Sequence, residues 1–208
     1  MIGRSREQEA PVDAGRGVAG SPAGPDADAA EAPDGAAGAA VSPYAGAEAL
    51  MEQGSHAAAA DAYAALLGTS PDDVRALLGA GAALTAMSRY DAAEKELRRA
   101  LRLAPEMADV HHQLGVVLFK RGVYAAAAVE LRRAVELDPG CGPAYLVLGE
   151  ALNQMAESDQ ALEALETATR IQPENSRAYW AMGIAYDRKG KPDRAAEMYR
   201  MSREVGGR

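Results

Sequence analysis

The sequence predicts an all-α array of repeated helix pairs, and three observations carry that expectation. Residues of one type recur every 34 positions along most of the chain: Pro71, Pro105, Pro139 and Pro173, and likewise Gly81, Gly115, Gly149 and Gly183. Apolar residues make up 48% of the chain but aromatics only 5%, so alanine supplies much of the apolar count. Alanine has the best helix propensity and lets helices approach closely. Within each repeat the apolar positions follow a helical spacing and are punctuated by glycine and proline, not by strand-like alternation.

Two further columns keep the same period. Ala59, Ala93, Ala127, Ala161 and Ala195 form one, and Tyr63, Leu97, Leu131, Leu165 and Tyr199 the other. A fixed period of this size signals a solenoid. The repeat from Ala108 to Cys141 shows the physical logic. His111, Leu114, Gly115 and Leu118 lie on one helical face, and Gly122 ends that helix. Tyr124, Ala127, Leu131 and Ala134 form the face of a second helix, and Asp138-Pro139-Gly140 breaks the chain before the next repeat. Gly115 and Ala127 allow close contact, and the leucines fill the remaining space. Proline stops the second helix because it pushes the preceding residue out of the α region.

Residues 1 to 41 differ from the rest. They are rich in Ala, Gly, Pro and Asp and contain no Leu and no aromatic residue. Such a segment cannot bury enough apolar surface to offset chain entropy, so a disordered, acidic tail is expected there. It serves as a solvating leader in the simplest reading, or as a tether or interaction arm. The expected domain covers residues 42 to 208, with repeats at about 42–73, 74–107, 108–141, 142–175 and 176–208. Ser42-Pro43 is the expected start of the first helix, with serine as N-cap and proline at the first helical position.

The pattern resembles the tetratricopeptide repeat family. Residues 142–175 carry it as Tyr145, Leu148-Gly149, Leu152, Ala161, Leu165, Ala168 and Pro173. Residues 176–208 carry it as Tyr179, Met182-Gly183, Tyr186, Gly190, Ala195 and Tyr199, and residues 74–107 as Gly81, Leu84, Tyr90, Ala93, Leu97, Ala100 and Pro105. The first repeat is weaker and keeps Gly54, Ala59, Tyr63 and Pro71, with Gly46-Ala47 where Leu-Gly is expected. A divergent end is expected of a solenoid whose outer face meets water. The resemblance implies a right-handed α-α superhelix of five helix-turn-helix repeats that binds a protein or peptide partner.

It also implies where the partner sits. In this family the first helices of successive repeats line a concave groove. That places Tyr44, Leu78, His112, Leu146 and Trp180 in one row. Glu48, Ala82, Val116, Glu150 and Ile184 form a second, and Met51, Thr85, Phe119, Asn153 and Asp187 a third. The candidate groove residues are Leu78, His112, Val116, Phe119, Leu146, Glu150, Asn153, Trp180, Ile184 and Asp187. Burial against neighbouring helices is the competing reading for Leu78, Val116 and Ile184. Family members that clamp a C-terminal carboxylate use Lys, Asn and Arg in the groove. Here combinations such as Leu78 with Ala82, or His112 with Val116, take those positions. The groove is expected to be mostly apolar with a few acids, suited to an apolar or mildly basic peptide or helix.

Other chemistry is not expected. The net charge of −8 argues against nucleic acid or an anionic lipid surface as partner. No run approaches the length of a membrane helix, and the first ten residues have no secretory pattern, so a cytoplasmic protein is expected. Gly79-Ala80-Gly81 resembles the start of a dinucleotide fingerprint but lacks the third glycine and lies in a predicted helix. His111 is expected in the core and His112 elsewhere, with no ligand set for a metal. Cys141, the single cysteine, sits in an inter-repeat turn near a helix N-terminus that could lower its pKa. Arg98-Arg99, Arg102 and Arg132-Arg133 form a basic strip with Glu94, Glu96, Glu130 and Glu136 at pairing distance along the helices. That strip reads as a charge-paired surface, or as a second docking surface for an acidic partner. The expected protein is therefore a non-catalytic, monomeric adaptor, scaffold or assembly factor without cofactor. The alternatives are a self-assembling scaffold or an accessory subunit of an enzyme complex.

Overall fold

Proline and left-handed turn residues divide the chain into its helices. The computed structural model describes residues 42–207, and the tail expected over residues 1 to 41 lies outside the described residues. Ten helices follow in the order α1 (Ala45–Glu52), α2 (His56–Thr69), α3 (Val74–Ala86), α4 (Tyr90–Leu103) and α5 (Ala108–Lys120). Then come α6 (Tyr124–Leu137), α7 (Gly142–Gln154), α8 (Ser158–Ile171), α9 (Ser176–Arg188) and α10 (Pro192–Gly206). They form five helix-turn-helix repeats, and no strand occurs among the described residues.

The ends of the second helices show the effect of proline directly. Ser70, Ala104, Asp138 and Gln172 each precede a proline and each leave the helix, with φ between −136° and −129° and ψ between 69° and 92°. Inside each repeat the turn between helices needs one residue at positive φ. Gly122 supplies it in the third repeat at φ 79°. Ser88 and Ala156 hold the same place in the second and fourth repeats at φ 59° and 61°. An L-residue in that region costs about 1–2 kcal/mol. Backbone hydrogen bonds close both turns, from the Arg89 N–H to the Leu84 carbonyl and from the Glu157 N–H to the Leu152 carbonyl, each at 2.9 Å. The first helix begins later than the sequence suggested. Tyr44 is the N-cap of α1, and Ser42-Pro43 forms a preceding turn in which the Ser42 carbonyl accepts from the Ala45 N–H at 2.9 Å. Two later first helices have side-chain caps. Asp73 accepts from the Ala76 N–H at 3.1 Å, and Asn175 from the Ala178 N–H at 3.3 Å.

The glycine column marks where the two helices of a repeat meet. A Cβ added at Gly115 would lie 2.5 Å from Leu131, one at Gly149 2.4 Å from Leu165, and one at Gly183 2.3 Å from Tyr199. The bulky residue of the second helix thus fills the space that the glycine leaves. Leu97, Leu131 and Leu165 are fully buried, as are Ala93, Ala127 and Ala161. His111 is also in the core, as expected, with ring nitrogens 2.8 Å from Glu130 and 2.8 Å from the Pro105 carbonyl. Glu130 therefore pairs across helices, not along its own.

Gly79 has a separate explanation. The Tyr63 ring, from α2, reaches into α3 of the next repeat, and a Cβ at Gly79 would lie 2.2 Å from it. The next three repeats have leucine in the Tyr63 column (Leu97, Leu131, Leu165), and the first helices that follow them have Gln113, Val147 and Ala181 in the Gly79 column. The glycine and the tyrosine are matched in size. Gly79→Ala gains about 1 kcal/mol of helix propensity, but overpacking costs about 1–3 kcal/mol. Net destabilisation is expected in denaturant unfolding, and adding Tyr63→Leu should restore the alanine's advantage. If the two substitutions are additive in the double-mutant cycle, the size match is not real.

Candidate functional site

The first helices of successive repeats lie side by side, α1 against α3, α3 against α5, α5 against α7 and α7 against α9. Between α3 and α5 they enclose an open cavity of 590 Å³. Ala82, Thr85, His112 and Val116 line it, so members of all three rows share one surface there. Thr85 turns its hydroxyl back to the Gly81 carbonyl at 2.7 Å. Burial lowers the pKa of His112, which favours its neutral form. Phe119, one turn beyond Val116, packs at a tilt on Tyr124, with ring centroids 5.6 Å apart.

The ten candidate residues separate by exposure. Leu78 and Leu146 are buried in the main hydrophobic core and form the floor of their row. Asn153 is 3% exposed and donates its side-chain N–H to the Ala181 carbonyl at 2.9 Å, which ties α7 to α9. Val116, His112, Phe119 and Ile184 are half-buried. Trp180, at 54%, and Asp187 are the exposed members. Tyr179, next to Trp180, packs against the core and fills the aromatic slot.

The acids of the rows are largely spoken for. Glu150 accepts two hydrogen bonds from the Arg177 guanidinium, at 2.5 Å and 2.6 Å. Glu48 accepts one hydrogen bond from Arg75 at 2.6 Å, and Arg75 lies 4.3 Å over the Tyr44 ring. The Tyr44 hydroxyl donates to Asp73, which raises the tyrosine pKa and lowers the aspartate pKa. Both arginines come from the first turn of the following first helix, so reading along one row does not reveal them. The recurrence of Glu48 with Arg75 and Glu150 with Arg177, each 27 residues apart, is the sequence signal. Asp187 has no cationic partner among the described residues. It accepts from the Tyr199 hydroxyl at 2.7 Å, and burial together with this bond pushes that hydroxyl up to about 12. The surface is therefore less acidic than its rows suggested.

Cys141 occupies the N-cap position of α7 without a side-chain cap bond, and burial raises its pKa, opposite to the lowering considered from sequence. Among the described residues no helix is long and apolar enough to cross a membrane.

The model of the tetratricopeptide repeat family matches residues 50–115 and 118–182. No curated protein matches the chain. Solved structures do. One of MamA is 29% identical, covers 77% of this chain and 94% of that one, and superposes with a TM-score of 0.69. A second MamA structure is 30% identical over 76% of this chain and 87% of that one, with a TM-score of 0.67. YrrB, described as a TPR protein with an unusual peptide-binding site, is 26% identical over 80% of this chain and 86% of that one, with a TM-score of 0.65.

Proposed function

Because this chain belongs to the tetratricopeptide repeat family and has its all-helical repeat fold, we propose that it is a non-catalytic binding module whose first-helix face holds a peptide or helix of a partner protein. The observation that carries this reading is Trp180, a large aromatic left 54% exposed on α9. Tryptophan is among the residue types most enriched at interface hot spots, and one left exposed on a helix offers such an anchor. Ile184 follows one helical turn later and is half-buried, which extends the apolar surface beside it. The peptide-binding site named for YrrB is consistent with this use of the fold.

The pairing of Glu48 and Glu150 with arginines shifts the expected partner towards an apolar or amphipathic segment read by shape. Trp180 is the only tryptophan in the chain, so its fluorescence reports directly on the site. Peptides selected from a displayed library against the full-length protein should shift that emission to the blue on binding. Selected peptides that bind without changing it would overturn this placement of the site.

The module is proposed to act as a monomer. In successive second helices Leu101, Val135, Thr169 and Arg203 occupy one position. Leu101 and Val135 pack against the core, whereas Arg203 on α10 is exposed. Beside it the Ser202 hydroxyl donates to the Ser176 carbonyl at 2.8 Å. A charge on this face opposes burial against a second copy. Light scattering at micromolar concentration should give the monomer mass, and a tight dimer broken by Arg203→Glu would sink this part of the proposal.

A further inference from the structure

The exposed face of α4 carries a second surface, separate from the one holding Trp180. A cavity of 430 Å³ opens between α4 and the turn after α5. Lys95, Arg98, Arg99 and Arg102 line it from α4, and Arg121 closes it from the turn. A second hollow along the edge of the turns shares Asp91 and Arg121 with the first and adds Arg89 and Lys120. The two form one continuous trough. Its only carboxylates are Asp91 and Glu94, so a chain of net charge −8 concentrates an excess of cations here.

The ion pairs show which cations build the trough and which remain available. Glu94 is buried and held by Arg98 at 2.7 Å and by Arg121. Arg121 also takes Asp91 at 3.0 Å. Arg99 binds Glu96 at 2.7 Å and the Pro71 carbonyl at 2.8 Å. Both carboxylates are thus consumed in fixing the walls. Lys95, Arg102, Arg89 and Lys120 have no carboxylate within ion-pair distance among the described residues.

We propose that this trough binds an acidic segment of a protein, rich in Asp and Glu. Guanidinium groups match carboxylates in geometry as well as in sign. A long polyanion such as nucleic acid extends beyond the trough and meets the field of the acidic remainder. At physiological salt that field reaches about 8 Å from the surface. A short acidic segment lies within the trough and avoids it. The proposal does not rest on the groove reading, since Trp180 takes no part in it; the trough meets the cavity between α3 and α5 only at its edge, where Ser88, Tyr90 and Lys120 line both.

The test is fluorescence anisotropy of a labelled oligo-glutamate peptide with the full-length protein. Saturable binding is expected at low salt, weakening as salt rises from about 50 mM to about 200 mM. Lys95→Glu combined with Arg102→Glu should weaken it at least about tenfold. Both residues are exposed and unpaired, so the thermal melt should not move. If it does, Lys95→Gln with Arg102→Gln carries the same test without charge reversal. Trp180→Ala should leave this binding unchanged. The proposal is overturned if the peptide does not bind at low salt, if the paired substitutions leave its affinity intact, or if Trp180→Ala abolishes it. An RNA oligonucleotide of equal charge that binds as tightly would also overturn it, because the trough would then be a general polyanion site.

Discussion

Ala127→Leu is expected to lower the stability of the array by about 1–3 kcal/mol, the usual cost of overpacking a tight core. Ala127 is wholly buried on α6, and a Cβ on the facing Gly115 would already lie 3.4 Å from the Ala127 carbonyl. The leucine brings three more carbons to a contact whose space is filled by Leu131. Interiors packed this densely have no void to receive them. The helices must separate or the side chain must leave its preferred rotamer. Because the third repeat contacts neighbours on both sides, through α4 against α5 and α6 against α7, the disturbance passes to both. For a unit of this size, each kcal/mol corresponds to about 2–4 °C in Tm. Circular dichroism melts of Ala127→Leu and of Ala125→Leu give the comparison. Ala125 is exposed on the same helix, so its substitution should have little effect. Equal melts for both variants would mean that the two helices do not meet at Ala127.

Trp180→Ala should separate binding from folding. The residue is 54% exposed, so removal of its side chain should leave the melting temperature nearly unchanged. Truncation of a tryptophan at the centre of an interface typically costs about 2 kcal/mol or more, which exceeds a tenfold loss of affinity. Library-selected peptides should therefore lose at least about tenfold in titration calorimetry against the variant. Ile184→Ala makes a useful companion. Ile184 is half-buried, so that change should lower stability and affinity together. If Trp180→Ala melts early while its folded fraction binds normally, the tryptophan is structural and the groove loses its anchor. The oligo-glutamate measurement is independent of this result, so one surface can fail without the other.

The repeat architecture was legible because its signals are local. The prolines at positions 71, 105, 139 and 173 each remove the preceding residue from the helix, and the four chain breaks fall there. The glycine, alanine and leucine columns were legible for a related reason. Helices of one repeat meet at fixed positions, and a small residue in one must answer a large residue in the other. Less local features were harder to read. The turn residues Ser88 and Ala156 carry no glycine to mark their positive φ. The start of α1 at Ala45 replaced a plausible Ser-Pro cap, since the Ser42 hydroxyl and carbonyl accept from the Tyr44 and Ala45 N–H groups in a turn ahead of the helix.

The candidate site was legible only in outline. Residue type and spacing placed Trp180 on a first helix beside Tyr179, and the contrast in their exposure agrees with that placement. The burial of Leu146 and Asn153 was not foreseen, and for Leu78 burial was one of two open readings, because it depends on how closely the neighbouring first helix approaches. Glu150 looked like a free acid until the fold brought Arg177 across from the next repeat, 27 residues away. The same holds for Arg121, which reaches back to Glu94 and completes the cationic trough. The sequence by itself determined the helices, their breaks and their pairing, since these follow from backbone preference and from side-chain size repeated at one period. Only the tertiary structure decided which charges remain available to a partner. Ion pairs form between side chains set by the distance between repeats, and no periodicity within a single helix encodes that distance.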